Sequence, residues 1–65
     1  MITVNGDAFP WRPHLTVQDV IAEKRFTFPM LAVWIDDVPV PRDRFTETLV
    51  QDGSRVQIIH MISGG

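Results

Sequence analysis

Two glycines, Gly64 and Gly65, close the sequence directly behind an apolar run, Val56-Gln57-Ile58-Ile59-His60-Met61-Ile62. A buried strand normally ends in turn chemistry and returns to the fold. This one is expected to run out of the domain and present a bare α-carboxylate on a stem without side chains. Glycine adds no bulk, and its backbone takes up conformations closed to other residues. Such a stem can thread a narrow channel and deliver its own carboxylate to an enzyme. The competing reading is a frayed end that happens to contain glycine.

The remaining candidates for chemistry are weaker. His14 and His60 are the only histidines, and no carboxylate or thiol stands at ligand spacing from them. Asp36 and Asp37 are adjacent acids at a strand end, the usual place for solvated turn residues. Arg42 and Arg44 read as a solvated turn. The chain contains no Ser-His-Asp signature, phosphate loop or glycine-rich cofactor motif. With no cysteine, disulfides, thiolate metal sites and cysteine nucleophiles are excluded on this chain. No metal site is expected.

The elements that must position the tail follow from composition and periodicity. Sixty-five residues make one small domain, which buries only about 60% of its unfolded surface. Hydrophobic content of 45% and charged content of 22% are those of a globular protein. Net charge is −2 and the basic residues are scattered, so nucleic acid is not an expected partner. No apolar stretch approaches the roughly 20 residues that span a bilayer, and the opening residues lack the pattern of a signal peptide. Together with the missing cysteines, this is compatible with the cytoplasm.

Ile2-Thr3-Val4 alternates as a strand, and Asn5-Gly6 is a two-residue hairpin signal. A returning strand is expected over residues 8–12, at a sheet edge because Pro10 cannot donate to a ladder. Thr16 and Asp19 form a capping box, with Leu15 and Val20 as a hydrophobic staple. They open a short helix over residues 17–25, whose stripe is Val17, Val20, Ile21 and the methylenes of Lys24. Pro29 is expected to stop it. Strands follow over residues 30–35 and 38–40, the second at an edge because of Pro39. A helical turn begins at Pro41, a brief strand covers residues 48–50, a turn is centred on Asp52-Gly53, and a last strand runs over residues 55–61. One helix must cover one face of a mixed sheet of four to five strands. With the first and last strands parallel at the centre, this is an α+β, β-grasp domain over residues 1–61 with a flexible tail over residues 62–65.

Four stretches point to a family: Ile2-Thr3-Val4-Asn5-Gly6; Leu15-Thr16-Val17; Val40-Pro41-Arg42-Asp43-Arg44-Phe45; and Leu49-Val50-Gln51-Asp52-Gly53 leading to Ile62-Ser63-Gly64-Gly65. In these the chain resembles the ThiS/MoaD family of ubiquitin-like sulfur carrier proteins. The length favours the ThiS side, since MoaD members tend to be longer. Ser63 stands where the family often has alanine, and residues 24–28 are more aromatic and basic than the family pattern.

The resemblance implies a carrier rather than an enzyme. A ThiF-like adenylyltransferase, using ATP and Mg²⁺, would adenylate the Gly65 carboxylate. Sulfur from a persulfide donor would displace AMP and leave a thiocarboxylate. A ThiG-like thiazole synthase would take that sulfur for the thiazole of thiamine. Gly64 and Ser63 would keep the stem thin, and this chain itself would bind no cofactor. A carrier for molybdopterin synthesis and a ubiquitin-like interaction module without tail chemistry are the alternatives.

Strand alternation adds a candidate docking surface. In the last strand Val56 and Ile58 should face the helix, and Gln57, Ile59 and Met61 the other side. In the third strand Val33 and Ile35 should point inward, and Ala32 and Trp34 outward. If these strands are neighbours, Trp34, Ile59 and Met61 form one apolar patch beside the tail, of the composition found at interface cores.

Overall fold

The computed structural model describes residues 1–26 and 30–61. Among these residues are five strands and one helix: β1 (Ile2–Val4), β2 (Asp7–Phe9), α1 (Val17–Glu23), β3 (Leu31–Ile35), β4 (Val38–Val40) and β5 (Arg55–His60), with one 3-10 turn over Arg42–Arg44. The strands form one sheet in the order β2-β1-β5-β3-β4. The central pair, β1 and β5, is parallel, and every other pair is antiparallel. A mixed sheet with a single helix on one face is the β-grasp arrangement expected from the sequence.

Both hairpins turn on two residues with positive φ, the geometry that matches the twist of the flanking strands. Asn5 and Gly6 connect β1 to β2 at φ 51° and 87°. Asp36 and Asp37 connect β3 to β4 at φ 49° and 68°. The second pair also fastens the start of β5. Asp36 Oδ1 accepts from the Arg55 N–H at 2.9 Å, and Asp37 lies 2.6 Å from the Arg55 guanidinium.

Strand β2 ends at Phe9, short of the expected residue 12, because Pro10 has no N–H to continue the pairing. Trp11 leaves the sheet, packs half-buried on the core, and donates its Nε1–H to the Val50 carbonyl at 2.7 Å. β3 starts at Leu31 and β5 stops at His60, each one residue inside expectation.

The N-terminus of α1 is fully accounted for. Thr16 Oγ1 accepts from the Asp19 N–H and Asp19 Oδ2 accepts from the Thr16 N–H, both at 3.1 Å. The Val17 and Gln18 N–H groups donate to the Thr48 and Phe45 carbonyls, each at 3.0 Å. The first donors of a helix have no partner within it; here segment 45–48 supplies them. That duty explains why residues 48–50 do not form the expected strand. Leu49 makes a single bridge to Thr16, and the Val50 N–H donates to the Leu15 carbonyl at 2.7 Å.

The helix ends at Glu23, two residues before expectation. The Phe26 N–H reaches the Ile21 carbonyl and the Arg25 N–H the Ala22 carbonyl, both at 3.1 Å. With Arg25 at φ 59°, this is a Schellman stop made by an arginine in place of the usual glycine. Pro29, the expected stop, lies outside the described residues. Pro41 precedes the 3-10 turn as its cap rather than occupying its first position.

The core lies between α1 and the sheet. Val17, Val20 and Ile21 pack over Ile2, Val4, Val33, Val56 and Ile58, and Leu15, Phe45 and Val50 close its side. Burial of these side chains is the main force holding so short a helix, since a seven-residue helix is marginal alone.

Candidate functional site: the outer sheet face

The face of the sheet opposite α1 is set by alternation. Val33, Val56 and Ile58 are buried beneath the helix, so their strand neighbours must point the other way. Antiparallel register places Trp34 opposite Gln57 and Ala32 opposite Ile59. Trp34 and Ile59 are therefore diagonal neighbours on one face, about 7–8 Å apart. The Met61 N–H donates to the Met30 carbonyl at 2.9 Å, which carries the β3–β5 pairing one step past the end of β5. Met61 thus follows Ile59 on the same side, next to where residues 62–65 begin.

Ile59 and Met61 are each 49% exposed. Trp34 is half-buried by its strand neighbours, on the outer face and not in the helix-side core. The structure so brings the three expected patch residues onto one surface. It adds Ala32, already expected outward, Met30, which the same alternation of residues 30, 32 and 34 turns outward, and Pro39, which alternation within these two strands does not supply. Pro39 pairs with Trp34 from β4, and Met30, 42% exposed, sits beside Met61. Pro39 was legible only as an edge residue, because the β3–β4 register was unknown.

Charge on this face is confined to its margin. Arg55, opposite Thr3 on β1, is paired with Asp37. Large side chains with little charge are the composition of an interface centre, where charged residues are depleted. The groups whose acidity is displaced lie elsewhere. The Thr16 main-chain N–H, and then its hydroxyl, hold the Asp19 carboxyl below the usual range. The N-terminal ammonium, 2.7 Å away, does the same for Asp52.

Arg44 pairs with Glu47 at 2.9 Å at the 3-10 turn, both exposed, in keeping with a solvated turn for Arg42 and Arg44. Among the described residues no three His, Cys, Asp or Glu side chains are grouped as metal ligands would be, and no helix is long and apolar enough to cross a membrane. The tail residues Ser63, Gly64 and Gly65 lie outside the described residues.

Comparison with known proteins gives a consistent result. A sequence model of the ThiS family matches residues 2–65, and so includes both terminal glycines. The crystal structure of the thiamine biosynthesis protein ThiS from Geobacter metallireducens superposes with a TM-score of 0.80, covering 98% of this chain and 97% of that one. Sequence identity is 24%, so this likeness speaks for the fold. No curated protein matches the sequence.

Proposed function

The chain belongs to the ThiS family of small ubiquitin-like sulfur carriers, and from that premise we propose that the carboxylate of Gly65 carries sulfur as a thiocarboxylate for thiazole synthesis. The observation that carries the reading is the family match running through the last two glycines. A carboxylate is a poor electrophile. Attack of its oxygen on the α-phosphorus of ATP expels pyrophosphate and gives an acyl adenylate with a good leaving group. A persulfide sulfur then attacks the acyl carbon and AMP departs. Reductive cleavage of the S–S bond by a thiol leaves the thiocarboxylate.

In this reading the adenylating enzyme supplies the Mg²⁺ and the cationic groups that steady the phosphates. The chain itself supplies the reacting carboxylate, a stem thin enough to enter an active site, and a surface to be recognised by. No β-carbon at residue 65 shields the acyl carbon from attack.

The outer face serves as that surface. Trp34, Ile59 and Met61 dock the adenylating enzyme and, later, the sulfur-accepting synthase. Trp34→Ala should weaken partner binding while the variant melts as a folded domain. Unfolding of that variant at ordinary temperature would instead make Trp34 a structural residue. The acceptor is tested by offering the chain both a thiazole synthase and a molybdopterin synthase large subunit. A complex with the first is expected. A complex with the second alone would move the protein to the other sulfur route.

A further inference from the structure

The Asn5 side chain does more than its turn requires. Positive φ at this position suits asparagine, whose short polar side chain can hydrogen-bond locally, but here the amide reaches beyond the turn. It is used instead on a strand 53 residues further along the chain. Asn5 Nδ2–H donates to the Ile58 carbonyl at 3.0 Å, and the Ile58 N–H donates to Asn5 Oδ1 at 2.7 Å. In a longer parallel β1 these two bonds would come from two successive peptide groups, the C=O of residue 5 and the N–H of residue 7; here one side-chain amide makes both.

The main-chain ladder between β1 and β5 runs from the Thr3 N–H to the Ser54 carbonyl and from the Asn5 N–H to the Val56 carbonyl. Reversal at Gly6 ends it. The Asn5 amide adds one further rung at Ile58, close to the end of β5. On the other side β3 holds β5 as far as Met61.

We propose that Asn5 is a positioning residue for the tail reaction: its amide fixes the β5 backbone at Ile58 and so sets the direction in which Gly65 is delivered to a partner's active site. The inference rests on the sulfur-carrier reading. A strand gripped from both sides keeps its direction, whereas one gripped from a single side can twist about that ladder. Residues 59–61 continue from that point, so a twist at Ile58 displaces Met61, about 10 Å further on at about 3.4 Å per residue, from which the tail departs. A misplacement of about 1 Å at a reacting atom costs on the order of 100-fold in rate.

The test compares Asn5→Gly, which keeps the positive-φ turn and loses both amide bonds, with Asn5→Asp, which keeps the acceptor for the Ile58 N–H. Two readouts are taken: hydrogen exchange at the Ile58 amide, and kcat and KM for adenylation by the cognate activating enzyme with ATP. Asn5→Gly should speed Ile58 exchange about 30-fold, two net hydrogen bonds' worth. It should lower kcat about tenfold with KM within about twofold, because the docking face is untouched. Asn5→Asp should recover part of the kcat. A merely structural role would deplete folded carrier, raising the apparent KM and leaving kcat alone. Wild-type exchange at Ile58 in Asn5→Gly overturns the clamp whatever the enzyme does. Faster exchange with unchanged kcat overturns the positioning role. A wild-type chain that is never adenylated overturns the carrier reading beneath it.

Discussion

Ile59 and Met61 offer a graded test of the docking face. Burying an Ile or Met side chain completely stabilises by about 1.5–3 kcal/mol. Each is 49% exposed in the free chain, so about half of that, near 1 kcal/mol, remains for a partner to gain. Ile59→Ala and Met61→Ala should each weaken binding of the adenylating enzyme about fivefold, and the double variant about 30-fold, at 1.4 kcal/mol per factor of ten. Neither residue belongs to the buried core, so both variants should stay cooperatively folded by circular dichroism. Leu49→Ala is the control. Leu49 is 57% exposed but lies on the loop that bridges to Thr16 at the helix N-terminus, outside β3 and β5. Isothermal titration calorimetry reads all four variants beside wild type. Wild-type affinity in the double variant, or an equal loss in Leu49→Ala, would refute the assignment of this face.

Three further predictions concern the fold. Leu15 is fully buried as the staple residue before the helix; Leu15→Ala should cost about 3 kcal/mol and lower Tm by roughly 12–24 °C. Arg25 holds a left-handed conformation at the helix stop, so Arg25→Gly should stabilise by about 0.5–1 kcal/mol, and an unchanged or lower urea midpoint would contradict the Schellman description. Asp19 has its carboxyl depressed by the Thr16 main-chain and side-chain bonds; because the folded value lies below the unfolded one, its share of stability is present above the ordinary aspartate value of 3.8 and fades as pH falls through the folded value. Asp19→Asn should therefore be less stable than wild type at pH 7, with the gap closing below that range in urea titrations; a gap independent of pH would remove the capping carboxylate from the acid limb.

What the sequence made legible was mostly local or periodic. The Asn5-Gly6 turn, the Thr16–Asp19 capping box and the period-2 alternation of β3 and β5 are written in adjacent residues. They were enough for the topology and for the outward side of Trp34, Ile59 and Met61. The misses were features that depend on distant partners. Residues 48–50 have strand composition, yet their backbone is spent on the helix N-terminus. Arg25 gives no sign in its type that it will take a glycine's conformation. The Asn5 amide looks like turn chemistry until Ile58 is brought beside it. Pro39 joined the outer face only once the register across β3 was known.

The central claim is that Gly65 takes sulfur. Intact mass spectrometry of the chain, after incubation with its adenylating enzyme, ATP and a persulfide source, tests it directly. A mass gain equal to exchange of one oxygen for sulfur is expected, confined to the C-terminal peptide and lost when Gly65 is deleted. An unchanged mass, with an adenylating enzyme shown to be active on another carrier, would contradict it and leave a ubiquitin-like interaction module.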